Sequence, residues 1–167
     1  MKRWYAVYTQ PRSEEIASQH LERQGFQVFL PRYLKRRSHA RRVEVAPSPL
    51  FPRYLFTAFD AAEPGWRVIS STRGVVSLVR SGGGGLAVVP DAVIKEIEHR
   101  YNSDGFVVLA RHMGLKQGAR IRVDTGAFEA CDAIFETQRD DERVFVLLSL
   151  LGREVLANIP IGAVVPG

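Results

Sequence analysis

Apolar and polar positions over the first hundred residues alternate in a way that predicts strands interrupted by helices. Ser13 is a good helix N-cap and Gly25 stands where a helix would end, so a helix of about three turns is predicted between them. A second helix is predicted from Pro90 to about Tyr101, because its apolar residues recur at helical spacing. The predicted strands span residues 4–8, 26–30, 43–46, 54–59 and 75–80, and a short helix spans 66–71. This order predicts an antiparallel sheet flanked by helices, an α+β domain over residues 1–101.

The last third of the chain has a pattern that fits two different structures. Residues 102–115 are typical of a linker, and residues 116–167 form a second small unit. Strands are predicted at Arg120–Val123, Ala133–Phe135 and Arg143–Leu148, which together indicate a small SH3-like β-barrel. The same apolar residues also fall at helical spacing from Phe128 to Ile159. The alternative is therefore an α-helical hairpin docked on the first domain, and the pattern leaves both structures open.

Composition excludes several classes of protein. The chain has 167 residues, of which 46% are hydrophobic and 25% charged, the mixture of a folded soluble protein. Its longest apolar run, residues 144–151, is far shorter than the roughly 20 residues of a membrane span, and its basic start turns polar too early for a secretory signal. The single cysteine, Cys131, is expected in the core, and no Cys/His spacing indicates zinc. We expect a cytoplasmic protein with no metal, no cofactor and no membrane partner.

The positive charge is concentrated in the first part of the chain. Residues 1–100 carry 16 Lys and Arg against 9 Asp and Glu, whereas residues 101–167 carry 7 against 9. Nucleic acid is the usual partner of such a basic half, because neutralised phosphates release condensed counterions. The second half requires a different kind of partner.

Three stretches resemble the NusG family of transcription factors in their order and spacing. They are Trp4–Tyr8, Pro49–Phe56 and Ser71–Val75, and residues 116–167 resemble the KOW module that follows in the family. Within the family, residues 20–24, and residues 126–129 followed by 133–135, resemble the RfaH-type specialised paralogue more than general NusG. The resemblance covers nearly the whole chain. It implies a monomeric elongation or antitermination factor that binds RNA polymerase and suppresses pausing and termination.

A polar cluster on the first predicted helix is the candidate site for reading DNA. His20, Arg23 and Gln24 share one helix face, and their side chains suit the hydrogen-bonding edges or the ring faces of bases. The resemblance implies contact with the non-template DNA strand. The candidate neighbours of this cluster are Gln10, Ser13, Thr72 and Arg73. An ordinary solvated helix face is the alternative.

The densest basic run is a second candidate for DNA contact. It comprises Lys35, Arg36, Arg37, Arg41 and Arg42, in what the pattern predicts to be a loop at the tip of a hairpin. Charge density alone is enough for contact with the phosphates of upstream duplex DNA. A solvated loop is the alternative here as well.

A set of aromatic and aliphatic residues resembles the cavity by which the family docks on the clamp helices of the largest polymerase subunit. The set comprises Tyr8, Phe51, Tyr54, Phe56, Ile94 and Ile97. Tyr54 and Phe56 point to the same face of their predicted strand, and that face either fills a core or remains exposed for docking. The chain departs from the RfaH type at Ser48, where that paralogue has an acidic residue that helps to hold its two domains together. It departs again at Gly65–Val68, which replaces a His-Thr run.

Other functions give different expectations. The family implies that the C-terminal module recruits a ribosomal protein or Rho. A general NusG factor is the nearest alternative, and a ribosome-associated KOW protein that binds RNA is a more distant one. An enzyme is not expected, since Gly82–Gly85 precedes a strand-like segment and lacks the context of a phosphate-binding loop.

Overall fold

The computed structural model describes residues 1–109 and 127–153. Its strands are β1 (Arg3–Thr9), β2 (Gln27–Phe29), β3 (Arg32–His39), β4 (Arg42–Pro49), β5 (Tyr54–Phe59), β6 (Val75–Leu78) and β7 (Val88–Val89). Its helices are α1 (Glu14–Arg23), α2 (Asp91–His99), α3 (Ala127–Glu136) and α4 (Asp140–Leu150), with a 3-10 helix at Pro64–Ser71. We call the part from β1 to α2 the sheet unit, and α3 with α4 the helical hairpin.

The sheet unit has the predicted antiparallel sheet. Strands lie in the order β2-β5-β1-β6, and β7 also pairs with β1. The long central pair places Ala6 opposite Phe56 and Tyr8 opposite Tyr54. Gly25 has φ +86°, the left-handed conformation expected of a glycine that ends a helix, and α1 ends at Arg23. Ser13 precedes α1 as predicted, although its hydroxyl donates to the Pro11 carbonyl instead of capping the helix.

Both faces of the sheet are covered, because successive side chains of a strand point to opposite faces. Val7 and Leu55 pack with α1 and the 3-10 helix on one face. Ala6 and Phe56 pack on the other face with α2 and the helical hairpin. All six residues of β5 are buried as a result.

A two-stranded ribbon, β3 with β4, forms its own small sheet. Residues 35–42, predicted as a basic loop, are instead paired strand residues almost throughout, with Arg37 opposite Glu44 and His39 opposite Arg42. Only Ala40 and Arg41 form the turn, and both have positive φ, 46° and 69°. A two-residue turn of this hand matches the twist of the strands, which explains why the ribbon extends so far into the basic run.

The second unit is helical where the structure describes it. The strands predicted at Ala133–Phe135 and Arg143–Leu148 are wrong, since these residues lie in α3 and α4. The helical alternative is the one found for residues 127–150. The strand predicted at Arg120–Val123 and the turn after it lie outside the described residues. Within the described ranges, no helix is long and apolar enough to cross a membrane.

Candidate functional site

The six residues of the predicted polymerase-docking set come together in the structure, and we call them the apolar surface. Phe51, Phe56 and Ile97 are fully buried, and Tyr54 and Ile94 nearly so. The rings of Tyr8 and Tyr54 lie 5.2 Å apart, and those of Phe51 and Phe56 meet edge to face at 5.8 Å. Tyr54 and Phe56 share a sheet face, as predicted. Of the two alternatives for this face, a filled core or an exposed docking surface, the described state has the first.

The helical hairpin is what covers the apolar surface. Ile134 and Phe135 of α3 and Leu147 of α4 belong to the same buried cluster as Phe56 and Ile97. Cys131 is in this cluster too, which confirms its predicted place in a core. Because apolar stripes of both helices are matched to an apolar sheet face, burial of side chains on both sides stabilises the docked arrangement.

Four polar side chains hold one edge of this interface, and we call them the Asp140 cluster. Asp140, the first residue of α4, accepts hydrogen bonds from Tyr33 Oη, Lys35 Nζ and Arg143 Nη2. Tyr33 and Lys35 belong to β3, whereas Asp140 and Arg143 belong to α4. The carboxylate therefore joins the base of the ribbon to the helical hairpin.

Arg143 is the most deeply buried charged group described, with a side chain that is 0% exposed. Its Nε donates to the Leu50 carbonyl at 3.1 Å and its Nη1 to the Thr137 carbonyl at 3.3 Å. Its guanidinium carbon lies 4.5 Å from the centre of the Tyr33 ring. A buried cation costs several kcal/mol unless it is paired and hydrogen-bonded, so Arg143 is tolerated here only because these partners surround it.

The Asp140 cluster should determine the pH range over which the helical hairpin stays docked on the sheet unit. Burial alone would raise the pKa of Asp140, but hydrogen bonds from Lys35 and Tyr33 and the charge of Arg143 hold the pKa below the ordinary 3.8. Burial, and then the bond to Asp140, raise the pKa of Tyr33 from 10.0 to about 12. Docking favours ionised Asp140 and neutral Tyr33. The stabilisation from ionised Asp140 is therefore lost as the pH falls below about 4, and the stabilisation from neutral Tyr33 is lost as the pH rises from about 10 towards 12.

Circular dichroism at 222 nm across this range is the measurement. We expect a plateau of helical signal with a loss on each side. Tyr33→Phe is the control, because it should remove the Tyr33 contribution to the alkaline loss and leave the acid one. An unchanged alkaline limb in Tyr33→Phe would contradict the assignment.

Two further contacts tie the helical hairpin to the sheet unit. Arg100, which follows α2, lies over the Phe135 ring at 4.4 Å and reaches Asp132 at 3.9 Å. At the other end, the Gly82 N–H donates to the Gly152 carbonyl at 2.9 Å. The glycine run predicted as a loop is thus a contact point for the end of α4, and a Cβ on Gly82 would approach that carbonyl to 3.0 Å.

The candidate DNA-reading residues lie on the opposite side of the sheet, where α1 packs. The loop that carries Thr72 and Arg73 is fixed to the segment between β1 and α1, because the Gln10 N–H donates to the Gly74 carbonyl at 2.8 Å. Gly74 has φ +86°, and a Cβ there would lie 3.1 Å from the Ala17 nitrogen and the Ser13 carbonyl oxygen. Only glycine allows this approach. We call the resulting surface the α1 face; its members are Gln10, Ser13, His20, Arg23, Gln24, Thr72 and Arg73.

Two members of the α1 face make structural hydrogen bonds that the sequence pattern did not predict. Gln24 Nε2 donates to the Thr72 hydroxyl and to the His20 carbonyl, each at 3.0 Å, so its amide hydrogens are already used. Thr72 is buried and its hydroxyl donates to the Val68 carbonyl at 3.0 Å. Both residues fix the loop to the helix. Gln10, Arg23 and Arg73 are exposed, and Ser13 and His20 half-exposed, so these five remain the candidates for contact with DNA.

The basic run is also divided by the structure. Lys35 is bound to Asp140 and is not free in the docked state. Arg36, Arg37, Arg41 and Arg42 are exposed near the tip of the ribbon. They keep the charge density that phosphate contact requires.

Sequence reasoning missed the Asp140 cluster. Tyr33 and Asp140 are 107 residues apart, so no local pattern joins them. One signal was present: Arg143 precedes the apolar residues of α4 at a position that a helix buries, which is unusual for arginine. No group of three His, Cys, Asp or Glu side chains within residues 1–109 and 127–153 is arranged to hold a metal ion.

A family model described as "Transcription termination factor nusG" matches residues 2–98. The chain belongs to the NusG family. It is accordingly a NusG-type transcription factor, and factors of this family interact with RNA polymerase and the transcription machinery.

Individual relatives agree over nearly the full length. The "Transcription termination/antitermination protein NusG" of Staphylococcus aureus strain N315 is 26% identical over 177 aligned positions, which cover 95% of this chain and 92% of that protein. The protein of the same name from strain Newman gives the same values. A solved structure, "Domain interaction in Thermotoga maritima NusG", is 23% identical and covers 71% of this chain and 70% of that chain with a TM-score of 0.43.

Proposed function

We propose that this NusG-family chain is an RfaH-type antitermination factor that is held inactive by its own helical hairpin and binds RNA polymerase through the apolar surface once the helical hairpin leaves. The observation that carries the proposal is the burial of Tyr54, Phe56 and Ile97 beneath α3 and α4. A general NusG factor that acts at most genes would not need its docking surface covered. A covered docking surface fits a factor that is active only where a specific signal displaces the helical hairpin.

The two sides of the sheet unit support an order of events. The apolar surface lies on the face covered by the helical hairpin, whereas the α1 face lies on the other and stays accessible. The non-template DNA strand can therefore be contacted before the helical hairpin moves. Release then exposes the apolar surface to the clamp helices of the largest polymerase subunit. Pausing is suppressed by holding polymerase and DNA together, without chemistry by this chain.

Release would also free the second partner surface. Apolar residues of α3 and α4 are buried in the docked state. Recruitment of a ribosomal protein or Rho by the C-terminal unit therefore requires the same opening. One event thus governs both the polymerase contact and recruitment.

Polymerase binding by two arginine variants tests the proposal. Arg143→Ala removes the buried partner of Asp140, and it should raise binding to core RNA polymerase at least about tenfold, because broken buried pairs cost about 3–5 kcal/mol. Arg139→Ala is the matched control, since that side chain is 61% exposed and takes part only in surface ion pairs. Pull-down of core polymerase measures the difference.

A double variant shows whether the gain comes from the apolar surface. Tyr54→Ala in the Arg143→Ala background should remove the gain. Equal polymerase binding by wild type and Arg143→Ala, with the helical hairpin shown to be released, would refute autoinhibition. Persistence of the gain in the double variant would place the contact elsewhere.

DNA binding by the α1 face has its own test. Arg23→Ala should weaken binding to a DNA template with an open bubble by about 1–3 kcal/mol, the usual value of an arginine contact to a base. Lys95→Ala makes the same change in net charge at an exposed position on α2, and should have little effect. Equal losses in the two variants, measured by fluorescence anisotropy at one salt concentration, would leave only a general charge effect.

A further inference from the structure

The ribbon has two edges that differ in their capacity to pair. The Leu50 N–H donates to the Pro31 carbonyl and the Val107 N–H donates to the Arg32 carbonyl, each at 2.8 Å. Pro31 thus faces β4 and Arg32 faces away. Since backbone groups alternate in direction along an antiparallel strand, the N–H and C=O groups of Leu34 and Arg36 also point away from β4.

In the part of the chain that the structure describes, the β3 edge can accept another strand and the β4 edge is blocked. On β4 the outward positions include Pro47 and Pro49, which have no N–H and so block strand addition. On β3 the segment 106–109 pairs with Arg32, and among the described residues no hydrogen bond is recorded for the outward groups of Leu34 and Arg36. Within residues 1–109 and 127–153, the outward backbone groups of Leu34 and Arg36 therefore form an unpaired sheet edge.

The open edge lines a groove with exposed apolar groups. The cavity between β3 and residues 106–109 has a volume of about 550 Å³. Leu34 is 42% exposed and Val108 on the opposite wall 53%, while Val43 and Val45, on the same face of the ribbon as Leu34, are 59% and 55% exposed. These residues are four of the nine large hydrophobics found exposed in the described ranges. Such clustering marks an interaction site more often than chance exposure does.

The charged residues around the groove indicate which kind of partner segment it binds. Lys35 and Arg36 are among the residues that line it, and no acidic side chain is found among its described lining residues. Leu34, Val43 and Val45 share one face of the ribbon with Arg36. Arg37 lies on the other face opposite Glu44, and so does Lys35, which is bound to Asp140. A strand added to β3 would continue both faces of the ribbon. It therefore needs apolar residues on the face of Leu34 and acidic residues on the face of Arg37.

We propose that the β3 edge is a docking site for an extended segment of a partner protein in which apolar and acidic residues alternate. The segment pairs its backbone with Leu34 and Arg36 and adds a third strand to the ribbon. Its apolar side chains cover Leu34 and Val45, and its carboxylates lie on the opposite face beside the exposed Arg37. This site is separate from the apolar surface and from the α1 face, and it does not depend on release of the helical hairpin.

A synthetic peptide tests the pairing on the full chain. The probe is a capped peptide of alternating valine and glutamate, about eight residues long, enough to span the exposed part of β3. At about 1 mM it should slow amide hydrogen exchange of Leu34 and Arg36 at least about tenfold, since strand pairing protects the amides that it uses. A valine–lysine peptide should not. Absence of protection by the glutamate peptide, or equal protection by the lysine peptide, would overturn the proposal.

Variants separate backbone pairing from charge. Arg36→Ala keeps the N–H and removes a cation from the face opposite Arg37, so it should change peptide binding by less than about threefold. Arg36→Pro also removes the donor and should weaken binding at least about tenfold. Val45→Pro, at the cross-strand position on the blocked edge, is the matched control and should change affinity less than about threefold. Equal effects of the Ala and Pro variants would exclude strand addition.

A second test replaces Arg36→Pro if that variant misfolds, and three other results would assign the β3 edge to a different occupant. Should Arg36→Pro disturb the ribbon, a peptide N-methylated at alternate residues makes the same test on wild type, and undiminished binding would exclude strand addition. Slow exchange of the Leu34 and Arg36 amides in the free monomer would mean that the chain covers its own edge. Slow exchange only in a dimer, as judged by sedimentation, would assign the edge to a second copy. Equal protection of the two amides by duplex DNA and by the peptide would assign the β3 edge to nucleic acid. Each of these three results overturns the proposal.

Discussion

Asp140→Ala is expected to release the helical hairpin from the sheet unit, whereas Asp141→Ala is expected to leave it docked. Removing the Asp140 carboxylate takes a partner from the buried Arg143 and the acceptor from Tyr33 and Lys35. Leaving a buried charge without its partner costs about 3–5 kcal/mol, roughly a hundredfold to several thousandfold in the docking equilibrium. That is large for an interface formed by two short helices.

The neighbouring aspartate makes a close control. Asp141 also lies in the first turn of α4, so both replacements remove the same favourable interaction with the helix dipole. Asp141 is 57% exposed, and its one ion pair with a described residue is to the exposed Arg139, a contact worth about 0–1 kcal/mol. Amide hydrogen exchange of α4 under native conditions measures the difference. Equal exchange in the two variants would show that the apolar contacts alone hold the helical hairpin.

Removing both partners should partly restore docking. Asp140→Ala combined with Arg143→Leu leaves no uncompensated charge, and an apolar side chain of similar reach fills the space. We expect slower α4 exchange in this double variant than in Asp140→Ala alone. Additive losses would mean that the two residues do not act as a pair.

Gly74→Ala is expected to destabilise the sheet unit far more than Gly105→Ala. Both glycines have positive φ, +86° and +81°, so alanine costs about 1–2 kcal/mol at either position. At Gly74 the new Cβ would also meet backbone atoms of Ser13 and Ala17 at 3.1 Å, whereas at Gly105 nothing lies within 4 Å. Overpacking against backbone adds about 1–3 kcal/mol at Gly74 alone.

Urea unfolding of the two variants measures this difference. Gly74→Ala should also weaken binding to bubble DNA, because the loop that carries Arg73 can no longer lie against α1. Gly105→Ala should leave DNA binding unchanged. Similar unfolding free energies for both variants would show that α1 and the loop adjust to the added carbon, and the close approach would then be irrelevant to the α1 face.

The sheet unit could be predicted largely from local sequence. Strand β5 was placed at its observed bounds and α1 within a residue or two, because alternating apolar residues and the glycine after a helix act over short distances. Alternation along the predicted strand placed Tyr54 and Phe56 on one face for the same reason. The members of the α1 face were named correctly as neighbours, yet the roles of Gln24 and Thr72 depend on a hydrogen bond between residues 48 apart. A local sequence pattern does not predict a hydrogen bond between residues so far apart.

The helical hairpin and its contacts were decided by tertiary structure. The apolar residues of 127–150 satisfy both the helical and the strand period, so the sequence by itself determined only that they must be buried. Which period prevails depends on the surface that buries them, and the apolar face of β1, β5 and α2 accommodates two helices. The same docking covers the apolar surface and brings Asp140 to Tyr33. Short-range rules determine the elements, whereas burial, which depends on contacts between distant segments, determines which surfaces a partner can reach.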